Sequence, residues 1–449
     1  MKQRIVILGG GFGGLYTALE LEKSLGANSD VEITLVNRDN FFLFTPMLHE
    51  VAASDLDPTD IVNPIRKLLR QTQFFVGIVE TINFNTKRVV VSHGEGQHTH
   101  ELPYDHLVIA LGSVANFLNL PGVEEHALTM KSLNDAVALR SRLIEHLDEA
   151  DFECCPALRE SLLTIVVAGA GFAGVETIAG VNDFLREAVK FYPNLTKEMV
   201  RVVLVEYGPA VLPELDGSLG AYAQEKLAKR GVEIRLKTAV ASMSESGVTL
   251  SDGTFVKTNT LIWTAGTAPN PLLAALPCPK EKGRLIVDGT LEIPGWPGVW
   301  ALGDCAAIRD PNSGKLYPPT AQHALRQGKV VARNIIATLR GTAKQPFVFS
   351  TIGQLAAIGR RTGVANIMGV NFSGFIAWWM WRTIYLSKLP RLEKKVRVAL
   401  GWALDLFFSK DLVQFKTNEA ATVPRVSARK ATLRCLKGVK TCPRKIISM

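Results

Sequence analysis

A glycine loop placed between an apolar strand and a helical pattern constrains the fold of this 449-residue chain more than any other feature, and it occurs twice. The first copy opens the sequence as "RIVILGGGFGGLYTALELEKSL", where Gly9, Gly11 and Gly14 match G-x-G-x-x-G. Two of these glycines allow a tight turn and the approach of a pyrophosphate to the helix N-terminus, and the third lets helix and strand pack. The segment therefore predicts a dinucleotide-binding unit.

The second copy is "SLLTIVVAGAGFAGVETIAGVNDFL", in which Gly169, Gly171 and Gly174 occupy the same places after another apolar strand. Two complete fingerprints predict two dinucleotide sites. The natural pair is a flavin adenine dinucleotide held permanently and a nicotinamide nucleotide that binds and leaves. We expect an α/β fold with two Rossmann-like domains, the first for FAD and the second for NADH, followed by a membrane-associating helical segment.

The residue that ends the second strand of each unit distinguishes the two sites. "RVVLVEYG" places Glu206 where a carboxylate can accept hydrogen bonds from both adenine-ribose hydroxyls and would repel a 2′-phosphate, which favours NADH over NADPH. "EITLVNRDN" places Asn37 at the matching position of the first unit. Arg38 beside it either lies near the adenine or pyrophosphate or is a solvated loop residue.

Three later segments are each a buried strand that ends in a turn of small residues. They are "HLVIALGS" (106–113) with Ala110 and Gly112, "TLIWTAGTAPNP" (260–271) with Gly266, and "PGVWALGDCA" (297–306) with Asp304. The first two return the chain from one nucleotide domain to the other. Asp304 offers a carboxylate to the ribityl chain of a flavin.

Taken in this order, the motifs resemble those of the two-dinucleotide-domain flavoproteins. Within them the chain resembles the type II NADH dehydrogenases, which are single-subunit NADH:quinone oxidoreductases, over residues 1–415. The most specific segments are "NFFLFTPMLHEVA" (40–52), "GAGFAGVE" (169–176), "VWALGDCA" (299–306) and "YPPTAQHALRQG" (317–328).

The resemblance implies a set of site residues. FAD contacts are expected at Gly9, Gly11, Phe12, Gly13, Gly14, Asn37, Arg38, Thr45, Ala110, Gly112, Asp304, Ala321 and Gln322. NADH contacts are expected at Gly169, Gly171, Phe172, Gly174, Glu176, Glu206 and Gly266. The resemblance also places Glu176, Gln322 and Arg326 at the reacting groups. Glu176 matches the acid that the family has near its nicotinamide and quinone sites.

One residue departs from the family pattern. The family element reads AQxAxQ, whereas this chain has "AQHALRQ", so Arg326 replaces the second glutamine. This position belongs to the region of the quinone headgroup in the family. Arg326 could pair with a quinol oxygen or change the preferred quinone, and the alternative is that it points at solvent or a helix C-terminus.

Other reactive side chains lack the pattern that an additional redox or metal site would need. No cysteine lies in "FFLFTPMLHEVAA", where disulfide reductases carry their redox pair, and no cysteine spacing is typical of zinc. The histidines His93, His98 and His100 in "HGEGQHTH" are interpreted as a surface loop between strands. We therefore predict no metal site and no protein nucleophile.

The C-terminal third changes from βαβ units to short strands and two apolar segments. "FSGFIAWWMWRTIYLSKLPRLEKK" (372–395) holds three tryptophans, and "VRVALGWALDLFF" (396–408) is predicted as a helix of about 20 Å, shorter than the ~30 Å hydrocarbon core. Tryptophan and interleaved basic residues favour the membrane interface. The alternative is that both helices cover a homodimer interface.

The formal charge of +9 is concentrated at the C-terminus. Residues 420–449 contain eight basic residues and no acid, which leaves the rest of the chain nearly neutral. Such a tail could bind nucleic acid or anionic lipid, or be a solvated, disordered end. We expect an anionic lipid surface as the partner and no nucleic acid.

These observations predict six segments and one main function. The segments are an FAD domain in two parts (1–120 and 291–345), a connecting segment (121–160), an NADH domain (161–290), a membrane-associating region (346–415) and a basic tail (416–449). We expect a peripheral enzyme on the cytoplasmic face of a membrane that passes electrons from NADH through FAD to a membrane quinone without proton pumping. The alternatives are a soluble FAD-dependent NAD(P)H reductase of a small redox protein and a redox-sensing nucleotide binder without turnover.

Overall fold

The computed structural model describes residues 2–26, 30–94 and 97–414. The basic tail predicted for residues 416–449 lies outside the described residues. The chain divides into two compact units. The first unit comprises residues 1–44, 62–114 and 267–352, and the second comprises residues 45–61, 115–266 and the chain from 353 onward.

The helices alternate with strands through most of the chain. In chain order they are α1 (Phe12–Leu25), α2 (Leu48–Ala52), α3 (Val123–His126), α4 (Leu133–Phe152), α5 (Pro156–Leu163), α6 (Phe172–Ala188), α7 (Gly217–Lys229), α8 (Ala321–Arg340), α9 (Gly374–Lys388) and α10 (Leu392–Leu404). Of these, α1 and α8 belong to the first unit and the others to the second.

The first unit is built on a parallel five-stranded sheet. Its strands, in spatial order, are Val299–Ala301, His106–Ile109, Gln3–Leu8, Val31–Asn37 and Gln73–Val76. The first predicted glycine loop follows the central strand, whose apolar residues are buried because a parallel sheet is covered on both faces. Antiparallel strands complete the unit at Phe41–Leu43, Val62–Pro64, Ile78–Asn83, Arg88–His93 and His98–Pro103.

The second unit repeats this plan. Its parallel strands, in spatial order, are Leu128–Thr129, Thr260–Trp263, Thr164–Ala168, Arg201–Val205 and Val232–Arg235. A three-stranded antiparallel sheet, Val240–Ser244, Gly247–Leu250 and Phe255–Lys257, packs against it through a cluster of buried hydrophobic residues. Both nucleotide-binding folds predicted from the glycine loops are therefore present.

The C-terminal region forms a small sheet and two helices. Strands Gly353–Ala357, Gly363–Ile367 and Val370–Ser373 are antiparallel, so the change to short strands predicted for this third of the chain is correct. The predicted helix 396–408 is wrong at both ends, because α10 spans Leu392–Leu404. Pro390 separates the two helices, and α10 starts after Arg391, so the charged "EKK" joins it. Among the helices of the described residues, none has the length and apolar character needed to cross a bilayer.

The interpretation of the three histidines as loop residues is also wrong. His93 ends one strand, and His98 and His100 lie in the next, with His93 and His100 stacked at a ring separation of 4.9 Å. They share one face of an exposed antiparallel sheet. Within the ranges that the structure describes, no group of three or more ligating side chains could hold a metal ion.

Candidate functional site

The first glycine loop has the geometry that a dinucleotide requires. Gly9 adopts φ +103°, and a Cβ on Gly14 would lie 1.9 Å from the carbonyl oxygen of Gly9, so neither position tolerates a side chain. A Cβ on Gly11 would meet no atom within 4 Å, so this side of the loop is open. The amide of Gly10 donates to Oδ1 of Asn37 at 2.8 Å, which fixes Asn37 against the loop. These residues fit the pyrophosphate and ribose of FAD.

Other predicted flavin residues of the first unit lie at strand ends. Gly112 adopts φ +72° just after the strand His106–Ile109. Ser113 donates its hydroxyl to Oδ2 of Asp304 at 2.6 Å, so the two strand ends are joined at a carboxylate that retains a second oxygen for a ligand. Arg38 is exposed and pairs with Asp39 at 3.4 Å.

The start of α8 carries the residues expected near the flavin ring. The helix begins at Ala321, followed by Gln322, and Gln327, five residues after Gln322, accepts a hydrogen bond from the amide of Gly303 at 2.8 Å. Arg326 lies over the ring of Phe349, with its guanidinium carbon 4.1 Å from the ring centroid, and donates to the carbonyl of Gln322 at 2.9 Å. Arg326 therefore packs against an aromatic ring and its own helix.

The second glycine loop repeats the first in detail. Gly169 adopts φ +100°, and a Cβ on Gly174 would lie 1.8 Å from the carbonyl oxygen of Gly169. Glu206 follows the strand Arg201–Val205 and accepts hydrogen bonds from the amides of Ala170 and Gly208, both at 2.6 Å. Glu206 thus occupies the place that Asn37 has in the first unit, and its carboxylate is anchored to the loop.

The predicted residues separate between the units. The flavin residues all lie in the first unit except Thr45, which begins a short 3₁₀ turn in the second. The nicotinamide residues, including Phe172 at the start of α6 and Gly266 at φ +87°, lie in the second unit. Of the three residues expected at the reacting groups, Gln322 and Arg326 belong to the first unit and Glu176 to the second.

Glu176 is buried in α6 and is held by the C-terminal region. Its Oε1 accepts hydrogen bonds from the indole Nε1 of Trp381 at 2.9 Å and from the amide of Ala357 at 3.1 Å. Nδ1 of His49 lies 3.7 Å from Oε2. Burial raises the pKa of Glu176 to about 8, although the two hydrogen bonds act in the opposite direction. Burial lowers the pKa of His49 to about 3, so this histidine is neutral.

Glu50 forms a second buried carboxyl site that the sequence did not indicate. It lies in α2, is 6% exposed, and its Oε2 accepts a hydrogen bond from Nε1 of Trp402 at 3.0 Å. Burial raises its pKa to about 8, against the opposing effect of the Arg382 charge. The signal available in the sequence was a single acid inside the apolar run "FTPMLHEVAA".

The tryptophan cluster does not face outward as a group. Trp381 is fully buried, and Trp378 packs under the guanidinium of Arg382, whereas Trp379 is 57% exposed. The prediction that all three lie at a membrane interface is therefore wrong for Trp381. The helical period of 3.6 residues explains the result, because positions 378 and 381 share a face from which position 379 is turned away.

The pocket beneath the C-terminal helices joins these residues. It has a volume of about 60 Å³ and opens to solvent, and Glu50, Glu176, Arg382, Trp402 and Asp405 are part of its wall. The guanidinium of Arg382 lies between two indoles, 4.2 Å from the ring centroid of Trp378 and 4.5 Å from that of Trp402. All residues of this pocket belong to the second unit.

Comparison with known proteins agrees with this architecture. Residues 3–328 match the family described as pyridine nucleotide-disulphide oxidoreductase, and residues 352–411 match the NDH2 C-terminal domain. A solved structure of NDH2 from Plasmodium falciparum in complex with NADH has the same fold, with a TM-score of 0.86 at 19% identity, covering 92% of this chain and 100% of that one. The chain is thus a two-dinucleotide-domain oxidoreductase by class.

Relatives of known name define the family more closely. The type II NADH:quinone oxidoreductase Ndh of Mycobacterium tuberculosis is 34% identical over 419 residues, which is 90% of this chain and 88% of that protein. The demethylphylloquinone reductase NdbB of Synechocystis sp. is 32% identical over 89% of this chain and 96% of that protein. The chain belongs to the type II NADH:quinone oxidoreductase family.

Proposed function

We propose that this protein is a peripheral membrane enzyme that moves electrons from NADH through FAD to a membrane quinone without pumping protons. The observation that carries the proposal is the pair of glycine loops with different partners, Asn37 on the first and the carboxylate of Glu206 on the second. The C-terminal domain shared with the family supports a quinone as the acceptor, and two relatives are named for quinone reduction.

FAD would be held by the first unit. The open side of Gly11 leaves room for the pyrophosphate at the N-terminus of α1, Asn37 would meet the adenine ribose, and Asp304 would accept hydrogen bonds from the ribityl hydroxyls. When bound, FAD supplies a ring that accepts a hydride from NADH and passes the electrons on. Ala321 and Gln322 at the start of α8 would lie beside that ring.

NADH would bind over the second glycine loop. Both Glu206 oxygens already accept backbone hydrogen bonds, so the carboxylate is held in place where the adenine ribose is expected. A free 2′-hydroxyl can donate to it, whereas a 2′-phosphate would place like charges together. Glu176, two residues after Gly174 in α6, would lie near the reacting end of the coenzyme and near the quinone.

The C-terminal helices provide a surface suited to lipid. Exposed apolar side chains on and after these helices include Phe375, Ile376, Trp379, Leu392, Val396, Leu400, Leu404, Leu406, Phe407 and Phe408. Such amphipathic helices lie in the bilayer interface. Lys388 and Arg397 are exposed beside this surface and can contribute about 1 kcal/mol each at an anionic leaflet.

Two basic residues predicted at that surface are turned inward instead. Lys394 is buried and donates to the carbonyl of Thr59, and Arg382 is stacked between indoles. The electrostatic part of membrane binding therefore rests on fewer residues than the sequence suggested. We propose the cytoplasmic face of the membrane as the location, with anionic lipid as the partner.

Anaerobic titration of the purified protein tests the electron path. NADH should bleach the flavin spectrum, and a short-chain quinone should restore it. Bleaching without restoration by any quinone would contradict the proposal and favour a reductase of a small redox protein. Failure of NADH to bleach bound FAD would favour a nucleotide binder without turnover. Sedimentation with vesicles, and the oligomeric state without vesicles, would distinguish lipid from a second copy of the chain at the apolar helices.

A further inference from the structure

The reaction proposed above consumes a proton, and the pocket beneath the C-terminal helices is suited to supply it. In NADH + H⁺ + quinone → NAD⁺ + quinol, NADH is oxidised by loss of a hydride and the quinone gains two electrons. Both quinone oxygens become hydroxyls, so one proton must come from water for each turnover. A buried site of quinol formation needs a route for that proton.

The wall of the pocket contains polar atoms that lack partners. Within the described residues, Nε of Arg382 and Oδ2 of Asp405 are buried without a hydrogen-bond partner. The carboxyl of Glu50 accepts one hydrogen bond there, from Nε1 of Trp402. Unpartnered polar atoms along a cavity of about 60 Å³ that opens to solvent are sites for ordered water. The pocket is therefore suited to hold a chain of water between solvent and the buried carboxyls.

The acids of the wall extend from the rim to the interior. Asp405 is partly exposed, Glu50 is almost fully buried, and His49, the neighbour of Glu50 in α2, lies 3.7 Å from the carboxylate of Glu176. We propose that Glu50 and Asp405 relay a proton from solvent through this pocket to Glu176, for delivery to the quinone. This inference rests on the proposed function.

The charges around the relay suit it to carrying a proton. Glu50 faces the guanidinium of Arg382 and the carboxylates of Asp55 and Asp405, and burial is the largest influence on it, raising its pKa to about 8. Burial raises the pKa of Asp405 to about 6. Both carboxyls can therefore bind and release a proton near neutral pH, whereas Lys410 is engaged in an ion pair with Asp55 at 2.8 Å.

Kinetics with two acceptors test the relay. Ferricyanide takes one electron and no proton, so NADH:ferricyanide turnover requires no proton delivery. Glu50→Gln should lower kcat with a short-chain quinone by about tenfold or more, as expected for loss of a proton-transfer group, and leave ferricyanide turnover unchanged. Asp405→Asn should show a smaller loss with the same selectivity, and Glu50→Asp should recover part of the rate.

Glu187→Gln is the matched control. Glu187 lines the same pocket, but its carboxylate already pairs with Arg360 at 3.5 Å and accepts from the amide of Lys410 at 3.3 Å, so we expect wild-type kinetics with both acceptors. The solvent deuterium isotope effect on quinone turnover should increase in Glu50→Gln and stay unchanged in the control.

The outcomes separate the two proposals. A wild-type protein that reduces no quinone would contradict the proposed function itself. Quinone turnover of Glu50→Gln within about twofold of wild type, or an equal loss with both acceptors, would overturn the relay and leave Glu50 a structural role. If Glu50→Gln does not retain FAD, the acceptor selectivity of Asp405→Asn and Glu50→Asp decides the question in the same way.

Discussion

The indole nitrogen of Trp381 lies 2.9 Å from Oε1 of Glu176, and this hydrogen bond joins a helix of the C-terminal region to the helix that follows the second glycine loop. Trp402 makes the equivalent bond to Glu50, so each C-terminal helix is fixed by one indole and one buried carboxyl. The tryptophans of this region therefore serve the interior as well as the surface. The residue expected beside the coenzyme and the helix expected at the membrane are directly connected.

Removal of this bond should be costly. Trp381→Phe keeps most of the ring volume but leaves a buried carboxyl with one fewer donor, which should destabilise the second unit by about 1–3 kcal/mol. Because the Trp381 bond lowers the pKa of Glu176, the substitution should also raise that pKa further. Thermal unfolding of the FAD-loaded protein checks the first effect. Trp379→Phe is the control, since Trp379 is exposed, and equal melting temperatures for the two variants would contradict the account.

The stability of the protein should decrease between pH 6.5 and about pH 8.5. Glu50 and Glu176 have folded-state pKa values near 8, above the usual value of 4.5. Between pH 4.5 and about pH 8 the folded state therefore binds more protons than the unfolded state. Stability therefore falls as pH rises through that window, by of order a few kcal/mol for each group. Below about pH 6.5 the lowered pKa of His49 has the opposite effect on stability, because the unfolded state then binds the extra proton.

Unfolding measured across this pH range checks the assignment. The double variant Glu50→Gln, Glu176→Gln should lose most of the decrease between pH 6.5 and 8.5, because the amide does not titrate. The Glu187→Gln variant is the control and should retain it. A wild-type stability that increases steadily from pH 6.5 to 8.5 would show that the two carboxyls are ionised in the folded protein.

Substitutions of two glycines of the first loop should impair different properties, folding in one case and flavin retention in the other. Gly14→Ala places a Cβ 1.9 Å from a carbonyl oxygen, so we expect loss of about 3 kcal/mol or more and poor folding. Gly11→Ala meets no protein atom and should leave folding intact while weakening FAD retention. Flavin content after gel filtration, compared with circular dichroism, separates the two effects. Full flavin content in a folded Gly11→Ala protein would argue against the pyrophosphate lying there.

Coenzyme preference should depend on Glu206. Glu206→Gln removes the negative charge expected beside the ribose, and the ratio of kcat/KM for NADH to that for NADPH should fall about tenfold, or about 1.4 kcal/mol. Glu214→Gln is the matched control, because Glu214 lies beside Gly171 of the same loop. It should change both coenzymes by the same factor. A wild-type protein with the higher kcat/KM for NADPH would contradict the role of Glu206.

The sequence was sufficient for the features that depend on local geometry. The positions of Asn37 and Glu206 at the ends of their strands follow from the spacing of strand, glycine loop and helix, which fixes the backbone path. The partner of Glu50 could not be predicted in this way, because Trp402 lies in α10, more than 300 residues after Glu50. Such contacts depend on how helices pack, and hydrophobic pattern does not specify which polar group faces which.

The orientation of the C-terminal helices was predicted only in part for the same reason. A run of three tryptophans in four residues cannot lie on one face of a helix, yet residue type alone favoured the interface for all of them. The residue type of Lys394 likewise predicts a surface position, but Lys394 is buried and its ammonium donates to the carbonyl of Thr59. The error therefore came from assigning a shared environment to residues that the helical period separates.

Membrane binding should depend on the apolar residues that remain exposed after this correction. Phe407 and Phe408 are 82% and 67% exposed, and transfer of each ring into the bilayer interface should contribute of order 1.5 kcal/mol or more. Each Phe→Ser substitution should therefore weaken binding to vesicles of phosphatidylglycerol by about tenfold, with ferricyanide turnover unchanged. Phe152→Ser, at a position 85% exposed at the end of α4, is the matched control and should bind as wild type does. If all three variants bind equally well, the surface at α9 and α10 is covered by something other than lipid. A change of oligomeric state in the Phe407 and Phe408 variants would then identify a second copy of the chain.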